Sequence, residues 1–139
     1  MPSAPPNASK SALWTGRVLS AILVLFLVFT SFIGYMHPAA AKDAFVHLGI
    51  PFSLNVPIGA ILLVCIVLYV IPQTSVLGAI LFTGYFGGAL MTHLRAGDPL
   101  SRALFPTYVA AIAWLGLYLR EPRLRALVPF RDLQPKANN

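Results

Sequence analysis

Residues 44–94, AFVHLGIPFSLNVPIGAILLVCIVLYVIPQTSVLGAILFTGYFGGALMTHL, run for 51 residues without an Asp, Glu, Lys or Arg. A bilayer core about 30 Å thick takes roughly 20 apolar helical residues to cross. The run is too long for one crossing and suits two, with a natural break at Pro72-Gln73-Thr74. The same reading extends in both directions. No charge lies between Arg17 and Lys42, which gives one crossing before it, and residues 103–119 form a further uncharged run of 17, which gives one after it. Four spans are expected, at about 13–36, 54–71, 74–95 and 103–120. Every backbone polar group must be satisfied within lipid, so a span is a helix or a strand of a closed barrel. Barrel strands alternate in polarity over about ten residues, whereas these runs are apolar all round. The fold class expected is all-α: a transmembrane four-helix bundle.

Composition excludes the alternatives. Charged residues make up 10% of the chain and hydrophobic residues 58%, with a mean hydropathy of +0.76. Soluble domains carry about 25% charge, so this chain has too little to cover a water-facing surface. The single cysteine, Cys65, excludes a disulfide scaffold and reads as a small hydrophobe in mid-span. Prolines 38, 51, 57, 72, 99, 106 and 122 fall at the expected span ends, where a missing N–H costs least. Residues 1–12, polar and proline-rich, are expected to be disordered; 13–131 form the transmembrane domain, and 132–139 a flexible tail.

Lys and Arg gather on the cytoplasmic side of membrane proteins. Lys10, Arg17, Arg120, Arg123, Arg125, Arg131 and Lys136 flank the two termini, against Lys42, Arg95 and Arg102 on the other side. Both termini are therefore expected in the cytoplasm. The net charge of +6 follows from this rule, and no nucleic-acid partner is expected. Arg120, Arg123, Arg125 and Arg131, interleaved with Leu124, Leu127 and Phe130, are expected to contact lipid headgroups. The first span has a signal-peptide look, with Ala39-Ala40-Ala41 as a small-residue site, but its apolar run exceeds the usual 7–15 residues. It is read as a span that stays in place.

The third span, SVLGAILFTGYFGGALMTHLR, is rich in small residues. Gly84, Gly87 and Gly88 are expected to pack closely on a neighbouring helix of the same chain, with a homo-oligomer through that face as the alternative. Between the first two spans, Ala41, Ala44, Phe45 and Leu48 have helical spacing ended by Gly49, which predicts a short interfacial helix on the outer face. Tyr69, Tyr118, Trp14 and Tyr35 read as an interfacial aromatic belt. Tyr85, Tyr108 and Trp114 lie deeper and need polar partners, for which Asn55, Thr83 and Thr92 are at hand.

The same topology collects His37, His47 and His93 on the outer side. His93, Arg95, His37 and Asp98 form the candidate outer-face polar site, suited to a quinone headgroup or a proton relay, since ionisable groups near membrane depth are functional candidates. The spacing fits no metal: there is no His-x₃-His and no cysteine pair. No catalytic motif is present.

The stretch PIGAILLVCIVLYVIPQTSVLGAILFTGYFGGALMTHLRAGDPL (57–100), followed by LYLREPRLRALVPFR (117–131), with Trp14-Thr15-Gly16-Arg17 and Leu48-Gly49-Ile50-Pro51, resembles the DoxX-like family of small bacterial membrane proteins. The resemblance implies four transmembrane helices in a bacterial cytoplasmic membrane. It also brings in a redox partner protein and a quinone, because the family name comes from a subunit associated with thiosulfate:quinone oxidoreduction. The chain departs from the pattern of close relatives, which often carry an acidic residue where Leu62 lies and an acidic residue and a lysine near Ser31 and Tyr35. The expected function is a non-catalytic multi-pass membrane protein, an accessory subunit or small-ligand binder. The alternatives are the membrane subunit of a quinone-linked oxidoreductase with a pocket around His93, or a small oligomeric transporter.

Overall fold

A computed structural model describes residues 9–127. The first helix, α1 (Lys10–Met36), starts three residues before the sequence suggests, because the Ser9 hydroxyl accepts the Ala12 N–H and caps it. Residues 10–12, expected to be disordered, are thus helical; 1–8 and the 132–139 tail lie outside the described residues. After α1 the chain turns at His37 into α2 (Pro38–His47), the predicted interfacial helix, and a single 3-10 turn at Phe52–Leu54. Then come α3 (Asn55–Val70) and α4 (Ser75–Arg95), joined across the Pro72 turn. The fourth crossing is made by α5 (Leu100–Ala103) and α6 (Phe105–Arg120), followed by a short α7 (Pro122–Arg125). The break between α5 and α6 lies beside Pro106, which has no N–H to donate back. Four helices are long and apolar enough to cross a membrane, and no strand occurs among the described residues.

The long helices pack as a row: α1 against α6, α6 against α4, and α4 against α3. Leu23 and Leu27, Leu62 and Ile66, Phe82 and Phe86, and Val109 and Leu117 make the core. Tyr69 sits at its centre with no exposed surface, edge-on to Phe82 at 5.3 Å between ring centroids. Its hydroxyl donates to the Ala113 carbonyl (2.7 Å) and pairs with Ser20 Oγ (3.0 Å), so three helices meet on one phenol. This corrects the reading of Tyr69 as part of an interfacial belt. Leu25, Phe29 and Val56, by contrast, are 61–76% exposed. Burial of apolar area is worth about 25 cal/mol per Å² in water, so a surface of this kind belongs in lipid.

The close approaches also differ from expectation. A Cβ on Gly84, Gly87 or Gly88 would meet nothing within 4 Å, so these glycines make no tight contact within the chain. The close approaches fall at Gly16, Gly78 and Gly116. A Cβ on Gly16 would lie 2.7 Å from Arg120 N, one on Gly78 would lie 2.5 Å from Tyr69 Cα, and one on Gly116 would lie 2.7 Å from Ser20 Oγ. These three set the spacing of α1, α3, α4 and α6.

Candidate functional site

Two helices end at the histidine end of the bundle by the same device. Beyond α4, Gly97 has φ +77°; its N–H bonds Leu94 O (3.1 Å) and the Asp98 N–H bonds His93 O (3.1 Å). Beyond α2, Gly49 has φ +66°; its N–H bonds Val46 O (3.0 Å) and the Ile50 N–H bonds Phe45 O (2.9 Å). Both are Schellman caps, which place a left-handed residue just past the helix and reverse the chain. Each is followed by proline, in Gly49-Ile50-Pro51 and Gly97-Asp98-Pro99. The reversal after α4 turns Asp98 back onto the helix it has just left.

Asp98 becomes the hub of this end. Its side chain is 3% exposed. His93 Nδ1 lies 2.6 Å from Oδ2, His47 Nε2 lies 2.9 Å from Oδ1, and Arg102 Nη1 donates to Oδ1 at 3.1 Å. The hydrogen bond from His93, then that from His47, hold the Asp98 carboxyl well below the usual carboxylate range, at about 2, with a smaller contribution from Arg102. An ionised Asp98 is an acceptor only, so both histidines present N–H to it. Arg95 lies beside this cluster: its Nη2 donates to Leu48 O (2.8 Å) and closes the C-terminus of α2.

Of the four residues expected here, His93 and Asp98 are joined directly. Arg95 ties α4 to α2. His37 stands apart: it is exposed, sits between α1 and α2, and its side chain makes no capping bond. His47 and Arg102 complete the cluster in its place. The sequence held a signal for Arg102 alone, because the reversal at Gly97 puts Asp98 and Arg102 four residues apart at the start of α5, whereas His47 comes from the distant end of α2. No group of three or more candidate metal ligands occurs among the described residues.

Under the cluster lies a cavity of about 300 Å³ lined by Phe45, Leu48, Ile58, Tyr85, Gly88 and His93, together with Ile50, Ala89 and Thr92. The wall is apolar apart from His93, Thr92 and the Tyr85 hydroxyl. Thr92 Oγ1 donates to the Gly88 carbonyl. His93 commits Nδ1 to Asp98 and leaves Nε2 as its free ring nitrogen. Gly88, which makes no helix contact, gives up its side-chain volume to this space. A second cavity of about 420 Å³ lies between α1 and α3, which are bridged lower down by the Ser20–Tyr69 hydrogen bond, and shares Phe45, Ile58 and Tyr85 with the first. Ser31, Tyr35 and Leu62 line it.

Elsewhere, Trp114 Nε1 donates to Thr83 Oγ1 (2.8 Å), one of the partners anticipated for the deep aromatics. Arg120 and Arg125 turn inward: Arg120 Nη2 donates to Tyr69 O (2.5 Å), and Arg125 Nε donates to Tyr118 O (2.8 Å). Arg123 is exposed; Arg131 lies outside the described residues.

Four apolar crossings arranged around a polar cluster at one end define a multi-pass membrane protein. The chain belongs to the DoxX-like family, whose model matches residues 18–116. That span contains the whole histidine–aspartate cluster and its cavity. No curated protein and no solved structure matches the chain.

Proposed function

We propose that this protein is a non-catalytic membrane-embedded binder of an amphipathic small molecule: a lipid-soluble body with one hydrogen-bonding head. The observation that carries this reading is His93 on the wall of a mostly apolar cavity, its ring fixed by Asp98 through Nδ1. Ligand pockets combine an apolar lining with a few placed polar groups. A neutral His93 offers Nε2 as an acceptor to a hydroxyl head; a protonated one offers N–H to a carbonyl head. The gap between α1 and α3 gives such a molecule a way in from the lipid.

A quinone and its quinol have these two heads on one apolar body, and serve as the probes. In detergent, the wild-type chain is expected to bind a short-chain naphthoquinone saturably. His93→Ala is expected to weaken binding about tenfold or more, the equivalent of one charge-assisted hydrogen bond. Unsaturable partitioning, or equal binding by the variant, overturns the proposal. A second reading, the membrane subunit of a quinone-linked oxidoreductase, is supported by the same His93–Asp98 pair, which is also suited to relay a proton. It requires a redox partner to copurify with the chain, and for that partner's quinone reduction to depend on His93.

A further inference from the structure

The opposite end of the bundle, where α1 begins and α6 ends, holds a second polar cavity. Gly16 lets α1 close onto the end of α6, and the space left beside this contact, about 140 Å³, is lined by Arg17, Pro72, Ser75, Leu117, Arg120 and Glu121. At about 30 Å³ per water this is room for four or five water-sized groups, enough for a tetrahedral oxyanion and too little for an acyl chain. Two guanidinium groups and one carboxylate border it. Glu121 keeps its negative charge while its Oε1 accepts the Arg123 N–H (3.2 Å) and caps α7, so the two guanidinium groups leave the lining one positive charge in excess. Arg120 is held in place by Tyr69, with Nη2 on its carbonyl and the guanidinium 4.6 Å from its ring centroid; its remaining N–H groups have no partner among the described residues. Arg17 makes no ion pair and no side-chain hydrogen bond among the described residues; the ion pairs recorded there all lie at Asp98. The N-cap of α4 adds to the positive character, since Thr74 Oγ1 donates to Leu68 O instead of capping the first amides of the helix.

Two fixed or free arginines around a cavity of this size match the planar, bidentate recognition of phosphate oxygens. We propose that this cavity binds a phosphate-type oxyanion. Its place at the end of four crossings supplies one such anion at high local concentration, the headgroup phosphate of an anionic phospholipid, with the acyl chains outside along α1 and α6. The site is independent of the His93 cavity, and either assignment can fail alone.

The test uses the full chain in a neutral detergent, with native mass spectrometry and thermal unfolding. The probes are phosphatidylglycerol and, separately, inorganic phosphate. Arg17→Gln is the main variant, because the side chain is exposed, has no partner among the described residues, and its loss leaves the Tyr69–Arg120 contact intact; Arg17→Lys keeps the charge without the fork. Wild type is expected to retain one phosphatidylglycerol per chain, about tenfold more tightly than Arg17→Gln, with Arg17→Lys between them. Arg17-dependent stabilisation by phosphatidylglycerol assigns the site to lipid; Arg17-dependent stabilisation by inorganic phosphate alone assigns it to the free anion. Retention and stabilisation that do not change in Arg17→Gln, with either probe, overturn the proposal.

Discussion

Replacing Gly78 and Gly84 separately by alanine tests how α4 packs. The two lie on one helix and read alike in the sequence, yet their surroundings differ. A Cβ at position 78 would sit 2.5 Å from Tyr69 Cα and 2.8 Å from Leu68 C. Carbon atoms pack at about 3.5–4.0 Å, so α3 and α4 must part by roughly 1 Å beside the Pro72 turn. The obstacle is backbone, which cannot rotate away as a side chain can. Overpacking of this kind costs about 1–3 kcal/mol, and the upper part of that range applies here. Against it stands the helix preference of alanine over glycine, about 1 kcal/mol at most. The net expectation for Gly78→Ala is a loss of about 2 kcal/mol. At Gly84 the new methyl meets nothing within 4 Å, and the expected change runs from zero to about 1 kcal/mol of gain. Reversible unfolding of the protein in mixed detergent–dodecyl sulfate micelles, followed by tryptophan fluorescence, measures both. Equal losses at the two positions, or a stable Gly78→Ala, would refute the assignment of the helix contact to Gly78.

Tyr69→Phe removes a hydroxyl shared by Ser20 and Ala113 O; with interhelical hydrogen bonds in membranes worth about 0.6–1.7 kcal/mol each, the same titration should show a loss of about 1–2 kcal/mol. Asp98 gives a pH dependence. Its folded carboxyl is held at about 2 against about 3.9 unfolded. The stabilisation is therefore complete above about pH 4 and lost as pH falls from about 4 to about 2. Thermal midpoints of wild type and Asp98→Asn should differ above pH 4 and converge below it; a constant gap argues against the ionised hub. Gly97→Ala places an L side chain at φ +77°, at a cost of about 1–2 kcal/mol. It should also weaken naphthoquinone binding, because Asp98 no longer returns to His93, and unaltered binding would show that the cap does not set the site.

The crossings were legible because lipid excludes charge: the uncharged runs before Lys42, through Leu94 and up to Leu119 mark them without any knowledge of packing. Helix ends were nearly as legible, since Gly49, Gly97 and the prolines act locally. Small residues show only where helices are able to approach. They do not say which approach occurs, so Gly84, Gly87 and Gly88 drew attention while Gly16, Gly78 and Gly116 made the contacts. Tyr69 misled for a related reason. Its position near a span end suits an interfacial ring, and only the partners on α1 and α6 show that it is buried. The polar site was half legible: His93 and Asp98 are five residues apart and joined by a local reversal, whereas His47 reaches Asp98 across 51 residues of chain, a distance that no local pattern encodes.

The proposed binding function requires a ligand to sit in the cavity beneath His93. Photolabelling in native-like membranes with a diazirine-bearing naphthoquinone, followed by peptide mapping, tests this directly. Labels are expected to concentrate on Tyr85, Ala89 and Thr92, to be suppressed by excess unlabelled naphthoquinone, and to fall sharply in His93→Ala. Labels spread evenly along the lipid-facing residues of α1 and α3, and indifferent to competitor, would contradict it.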